Sequence, residues 1–154
     1  MRLYIGLLLL LLPIGLLSIV REVALDGSQP YSSIRTAVSD AVAGDIILVH
    51  PGRYLENLNL SNKSDLTLCS LEYTTGDSSY IRTTIIDGSR ANISTIVCYE
   101  NVLNCTIQGL SITGGNKTIT YKRQGNVFQG YPRFLSERKP QLILLIIHTI
   151  VFIF

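Results

Sequence analysis

Between Val23 and Gly115 the chain repeats one design, in which short β-branched runs are set between Gly, Asn, Asp and Ser. The runs are Ile46–Val49, Leu66–Cys69, Thr83–Asp87, Ser94–Cys98 and Leu110–Thr113. They recur at intervals of roughly ten or twenty residues, a spacing that marks a stacked β-solenoid rather than a compact two-layer domain. Leu58 and Leu60, then Leu66 and Leu68, alternate so that two side chains of each run share a face. Ile85, Ile86, Ile96, Val97, Ile107, Leu110 and Ile112 continue the series. The expectation is two or three short strands per coil and roughly twenty residues per turn. Successive coils then pair in parallel, about 4.8 Å apart, and the core is the inside of the coil.

Ahead of the first run stands one helical pattern. Val23–Leu25 reads as a short strand and Asp26–Pro30 as a turn cluster. Ser32 or Ser33 is placed as the N-cap, and Ile34, Ala37, Val38, Ala41 and Val42 follow as one apolar stripe. The stripe predicts a helix of about ten residues, ended by Gly44 in the left-handed conformation. A short amphipathic helix here covers the apolar interior and open strand edges that a first coil exposes. The competing reading is an ordinary α/β unit. It would need a second helix, and no second helical pattern is visible between Pro51 and Gly115.

The segment Tyr31–Leu58, with cap helix, first strand and a P-G-x-Y-x-E turn at Pro51–Glu56, resembles the opening of right-handed parallel β-helix proteins of the pectin-lyase-like superfamily. Thr84–Gly88 (TIIDG) and Ile107–Gly115 (IQGLSITGG) are similar to its coil repeats. The resemblance covers about ninety of the 154 residues. It implies an all-β fold: an incomplete right-handed parallel β-helix, spanning 22–115, with an N-terminal amphipathic cap helix. Large secreted or surface proteins of bacteria carry such coils as one module. Some members of the superfamily are polysaccharide lyases, pectin methylesterases or glycoside hydrolases. Their catalytic groups lie on later coils, and none can be carried over onto a residue of this chain.

The two ends have a different character. Arg2 and the apolar run Leu3–Val20 read as an export signal over 1–20, and the alternative is an uncleaved anchor, since eighteen apolar residues suffice to span a bilayer. No A-x-A-like triplet precedes Arg21, and Ser18 is the best small residue, with Leu16 at minus three. Residues 1–116 carry seven Lys or Arg against ten Asp or Glu, whereas 117–154 carry six against one. The basic excess is therefore confined to the tail, which argues against a nucleic-acid partner. Leu142–Phe154 is apolar apart from His148 and Thr149. Three readings of 116–154 stand: a divergent tail, a membrane-associated segment with basic flanks, or the product of a frameshift in a longer β-helix.

Chemistry is sparse. Asp65, Asp77 and Asp87 each sit beside a turn, where Asp bonds its own backbone, so a pair of glycosidase-type carboxylates is the lesser reading. His50 before Pro51 reads as an exposed turn residue. Cys69, Cys98 and Cys105 are an odd set that cannot all pair within one chain, and they read as small core residues. Their spacing from His50 and His148 does not suit zinc. The triplets at Asn59, Asn62, Asn92, Asn104 and Asn116 match a glycosylation pattern, yet Asn and Ser are also what coil corners use. No catalytic residue, metal or cofactor is expected. The expected function is a non-catalytic, exported or cell-surface β-helix module, a truncated fragment of a larger surface or adhesin-like protein, that binds a surface polysaccharide or a protein. The alternative is the N-terminal remnant of a polysaccharide-active enzyme, and membrane association through 3–20 and 142–154 stays open. On the frameshift reading, DNA just past the Gly115 codon encodes further I-x-x-G-x-x-I coils in another frame; sequencing that finds no such frame refutes it.

Overall fold

A parallel strand meets its partner only after the chain has gone round and returned. The structure, a computed structural model, describes residues 18–99, 102, 104–115, 119–123, 126–129 and 145–152. Segment 1–17 of the expected export signal, and 130–144 of the tail, lie outside the described residues. The elements begin with β1 (Val20–Val23), α1 (Ile34–Asp40), β2 (Ile46–Val49), β3 (Gly52–Tyr54), β4 (Leu58–Asn59) and β5 (Thr67–Ser70). There follow α2 (Glu72–Thr75), α3 (Ser79–Thr83), β6 (Thr84–Asp87), β7 (Ile96–Tyr99), β8 (Cys105–Thr113), β9 (Ile119–Arg123), β10 (Asn126–Gln129) and β11 (Leu145–Phe152). Strand dominates, and the strands from β1 to β9 pair in parallel to form a curled sheet.

Three columns of strands explain the apolar spacing. β1, β2, β5 and the first half of β8 lie side by side, with Ile47 opposite Leu68 and Leu68 opposite Ile107. β3, β6 and the second half of β8 make another column, in which Tyr54, Ile86 and Ile112 stand in line. In the third, β4 pairs β7 and β7 pairs β9. Ile47, Leu68, Ile107, Tyr54, Ile86, Ile112, Leu58 and Ile96 are all buried, together with Leu60, Leu66 and Leu110. Each such aliphatic side chain contributes about 1.5–3 kcal/mol on leaving water. The ladders of like residues are therefore the core itself.

The turn length departs from the expectation in the second circuit. Ile46, Thr67 and Thr106 occupy one level of the first column, so successive returns take 21 and 39 residues. The surplus is taken up by α2 and α3, which lie between β5 and β6. These helices correct the reading that nothing helical lies between Pro51 and Gly115. Of their residues only Glu72 and Ile81 are buried. Two turns of polar helix with one apolar contact leave no stripe to detect.

The cap helix forms as expected, but three residues shorter than expected, with seven. Ser33 is the N-cap, its Oγ accepting from the Thr36 amide at 3.4 Å. Ile34, Ala37, Val38 and Ala41 are buried, while Val42 is 53% exposed, because the helix stops at Asp40 and Ala41 is extended. Gly44, at φ +89°, serves the following turn rather than the helix end. Glu56 completes the start: its carboxylate accepts from the amides of Ile34 at 3.2 Å and Arg35 at 2.8 Å and from the Ser33 hydroxyl at 3.1 Å. First-turn amides have no partner within a helix, and a carboxylate there also meets the positive end of the helix dipole.

Both ends of the stack differ from expectation. The first strand starts at Val20, opposite Ile46, and not at Val23, so the end of the 1–20 segment is inside the folded unit. Past Gly115 the coil pattern goes on for one strand, with Ile119 opposite Ile96; Ile119, Thr120 and Tyr121 are residues that favour strands. The chain then reverses: β10 runs antiparallel to β9, and β11 antiparallel along β8 from Leu145 opposite Ile112 to Phe152 opposite Cys105. Among the described residues no helix is long and apolar enough to cross a membrane.

Replacing Glu56 with Ala uncovers two helix amides and is expected to cost about 1–2 kcal/mol, a fall of roughly 5–10 °C in Tm. Glu56→Gln, which keeps one acceptor, is expected to lose less. Thermal melts followed by circular dichroism check the order; equal Tm values for wild type and Glu56→Ala would refute the capping role.

Candidate functional site

Turns that lead out of one strand column are where the curled sheet brings polar groups together, and two of them carry the motifs TIIDG and ITGG. Asp87 ends β6 with its side chain buried, and its Oδ1 accepts from the Ser89 amide at 2.9 Å. Its Oδ2 accepts from Arg53 Nε at 2.9 Å and Nη2 at 2.5 Å, and the Arg53 side chain is 59% exposed. Burial alone raises the Asp87 carboxyl, but the Ser89 and Arg53 bonds outweigh it and hold it below the usual carboxylate range. Asn57 reaches into the same corner, donating to the carbonyls of Gly88 at 3.0 Å and Ser94 at 3.1 Å. Thr95 Oγ1 sits within reach of the carbonyls of Thr113 at 2.9 Å and Gly114 at 3.1 Å. A Cβ on Gly115 would lie 2.6 Å from the Ile93 carbonyl and 2.8 Å from Thr95 Oγ1. Glycine is needed there because one corner is laid directly on the next.

A second polar group surrounds the first strand. Asp45 is fully buried and accepts from the Ile19 amide at 3.0 Å, Arg21 Nε at 2.7 Å and the Val42 amide at 3.0 Å. Arg21 Nη1 donates onward to the Tyr31 hydroxyl at 2.7 Å. Burial would raise the Asp45 carboxyl, yet the bonds from Val42, Arg21 and Ile19 keep it depressed. Beside it, His50 Nε2 lies 2.8 Å from Glu22 Oε2, with the two side chains 24% and 39% exposed. This corrects the reading of His50 as an exposed turn residue: its amide donates to the Val23 carbonyl at 2.9 Å, which carries the ring to β1. Tyr54, from the P-G-R-Y-L-E turn, is buried beneath, its hydroxyl against the carbonyls of His50 at 2.9 Å and Val23 at 3.2 Å, and burial pushes its phenol up to about 12. The turn motif is thereby explained as structure: Tyr54 and Glu56 tie it to β1 and α1.

What this arrangement can do chemically is limited. Among the described residues no group of three His, Cys, Asp or Glu side chains is placed to hold a metal ion. Asp77 is exposed and accepts from the Ser79 amide at 2.9 Å, and Asp65 accepts from Asn104 Nδ2 at 3.0 Å. Asp65 and Asp77 thus serve loops, and Asp87 a corner. Cys69, Cys98 and Cys105 are buried and free. Burial raises all three thiols, those of Cys69 and Cys98 to about 12, so at neutral pH they are inert packing groups. Asp45 and Glu56 were legible only as turn residues, since, apart from the Val42 amide beside Asp45, the partners that define them lie more than twenty positions away in sequence. Glu72 gave no signal either; it is nearly buried and accepts from Gln108 Nε2 at 3.1 Å. Comparison with known proteins adds nothing here: no family model, curated protein or solved structure matches the chain.

Asp45 and Asp87 make stability depend on acid in a defined direction. A carboxyl depressed by folding stabilises above its unfolded pKa, near 3.9, and that contribution is lost as pH falls through the folded value. The melting temperature is therefore expected to drop steeply below about pH 4. Asp87→Asn should start lower at neutral pH and show a shallower acid limb. An acid limb that is unchanged in Asp87→Asn would refute the assignment.

Proposed function

We propose that the protein is an exported, non-catalytic module built from the first coils of a right-handed parallel β-helix of the pectin-lyase-like kind, and that it binds a surface polysaccharide along its coil faces. One observation carries this reading. The acids that the fold gathers are engaged in holding coils together: Asp87 by Arg53 and Ser89, Asp45 by Ile19, Arg21 and Val42, and Glu56 by the start of α1. Carboxylates fixed in this way are poor general acids or bases, because each proton taken up breaks a structural bond. The curled parallel sheet supports the coil architecture, with its three in-line apolar ladders. The stacked corners at Asp87–Gly88 and Gly114–Gly115 support it further. Export rests on the apolar opening Leu3–Val20 behind Arg2.

An extended polysaccharide suits such a surface, since stacked strands present the same outward position at each level of a column. In the second column Arg53 stands opposite Ile85, and Ile85 opposite Ser111; Ser111 is buried, its hydroxyl donating to the Ile81 carbonyl at 2.7 Å, so the open level is that of Arg53, whose guanidinium is oriented by Asp87 while remaining open to water. Co-sedimentation of the full chain with a panel of neutral and acidic cell-surface polysaccharides checks the proposal. Retention by at least one polymer is expected, without release of reducing ends, unsaturated products or methanol. Turnover of any polymer would replace this reading with that of an enzyme remnant, and no retention by any polymer would refute glycan binding.

A further inference from the structure

Asp45 is a fully buried carboxylate that accepts three hydrogen bonds, and one of its three donors lies inside the apolar opening run. Ile19 donates its amide to Oδ1 at 3.0 Å, and its carbonyl accepts from the Ile46 amide at 3.0 Å. Ser18 adds a surface contact through its side chain alone, the hydroxyl donating to the Gly44 carbonyl at 2.5 Å. Loss of residues through Val20 would take a donor from a fully buried carboxylate, leave the Ile46 amide without its partner and remove the residue that pairs with Ile46. The main-chain bonding of the first strand thus starts at Ile19. Leader peptidases cut after a small residue, and Ser18, immediately before Ile19, is the last small residue of the run.

We propose that the chain is processed at the Ser18–Ile19 bond and that Asp45 receives the new α-ammonium group of Ile19. The proposal rests on the reading of the opening run as an export signal. Hydrolysis adds one water across the bond: the Ser18 carbonyl carbon takes the oxygen and leaves as a carboxylate on the leader. The Ile19 nitrogen is released as an amine and is protonated at neutral pH. The nitrogen already lies at hydrogen-bonding distance from Asp45 Oδ1, so a neutral amide bond is replaced by a charge-assisted one. Ile19 is 48% exposed, which leaves space for the additional hydrogens. The charged and titratable groups around this position are Asp45, Arg21 and, hydrogen-bonded to Arg21, Tyr31. Asp45 then balances two cations, and cleavage locks the first strand onto β2 rather than loosening it.

Two measurements on the full chain expressed in an exporting host test this. Intact mass and N-terminal sequencing of the exported product should give Ile19 as the first residue. An exported product with any other first residue overturns the proposal and leaves export standing; a full-length chain retained in the cells overturns both. The exported product is next melted beside a sample acetylated at its α-amine, which has lost the charge. An ammonium held by Asp45 has its pKa raised above the unfolded value of about 7.7–8.0, so its stabilisation is present below that range and lost as pH rises through the folded pKa. The unmodified product should melt about 4–8 °C higher at pH 6, converge with the acetylated one at alkaline pH, and show no difference in Asp45→Asn. Identical melts at every pH overturn the role given to Asp45.

Discussion

Each of the strands β1 to β9 pairs in parallel with a strand one circuit of the chain away, and that constraint orders the rest. A hairpin can be closed by two residues, but a parallel neighbour requires the chain to traverse a whole coil before any bond forms. The circuit must therefore be held by something other than local pairing. Here it is held by side chains that point inward at one level and meet their like at the next: Ile47, Leu68 and Ile107, or Tyr54, Ile86 and Ile112. Corners must stack as closely as strands, which is why Gly115 faces Thr95 with no room for a Cβ.

The same constraint fixes what the polar groups do. Buried carboxylates are costly unless fully bonded, and those of Asp45 and Asp87 lie where one circuit passes into the next. Asp45 joins β1, the turn after α1 and the start of β2 through Ile19, Arg21 and Val42. Asp87 joins two strands of the second column through Arg53. In both, hydrogen bonds to the ionised form outweigh the penalty of burial, so each group acts as a clasp that opens with acid. A general-acid carboxyl needs the opposite arrangement, in which burial or a like charge prevails and the pKa rises toward the working pH.

Sequence pattern revealed the parts of the fold whose signal is periodic. The α1 stripe, the runs that became β2, β5, β6 and β7, and the buried cysteines could be read because alternation and apolarity are local properties. Three features were not local. The start of β1 at Val20 depends on pairing with Ile46, and Val20 itself looks like the end of a greasy leader. The helices α2 and α3 bury a single apolar residue, so the doubled length of the second circuit left no trace in hydropathy. Glu56, in a motif read as structural, gave no hint that it caps a helix that begins 22 positions earlier. His50 is the same case: its partner Glu22 is 28 positions away.

The two edges of the stack are treated differently, and the difference follows from what a parallel edge does. A parallel strand with its outer bonds open is a template for another strand. At the beginning, β1 is the outermost strand of its column and its circuit is filled by α1, whose buried Ile34, Ala37 and Val38 occupy the coil interior. At the far end no helix stands among the described residues, and strands of reversed direction follow instead, β11 along β8, which ends the first two columns, and β10 along β9, which ends the third. Reversal changes the hydrogen-bond pattern of the edge from the evenly spaced parallel ladder to the alternating antiparallel one. A further coil in the register of the earlier ones would have to pair in parallel with β8 on the side that β11 occupies. Continuing the stack in this chain thus means displacing the run Leu145–Phe152 from the edge of β8.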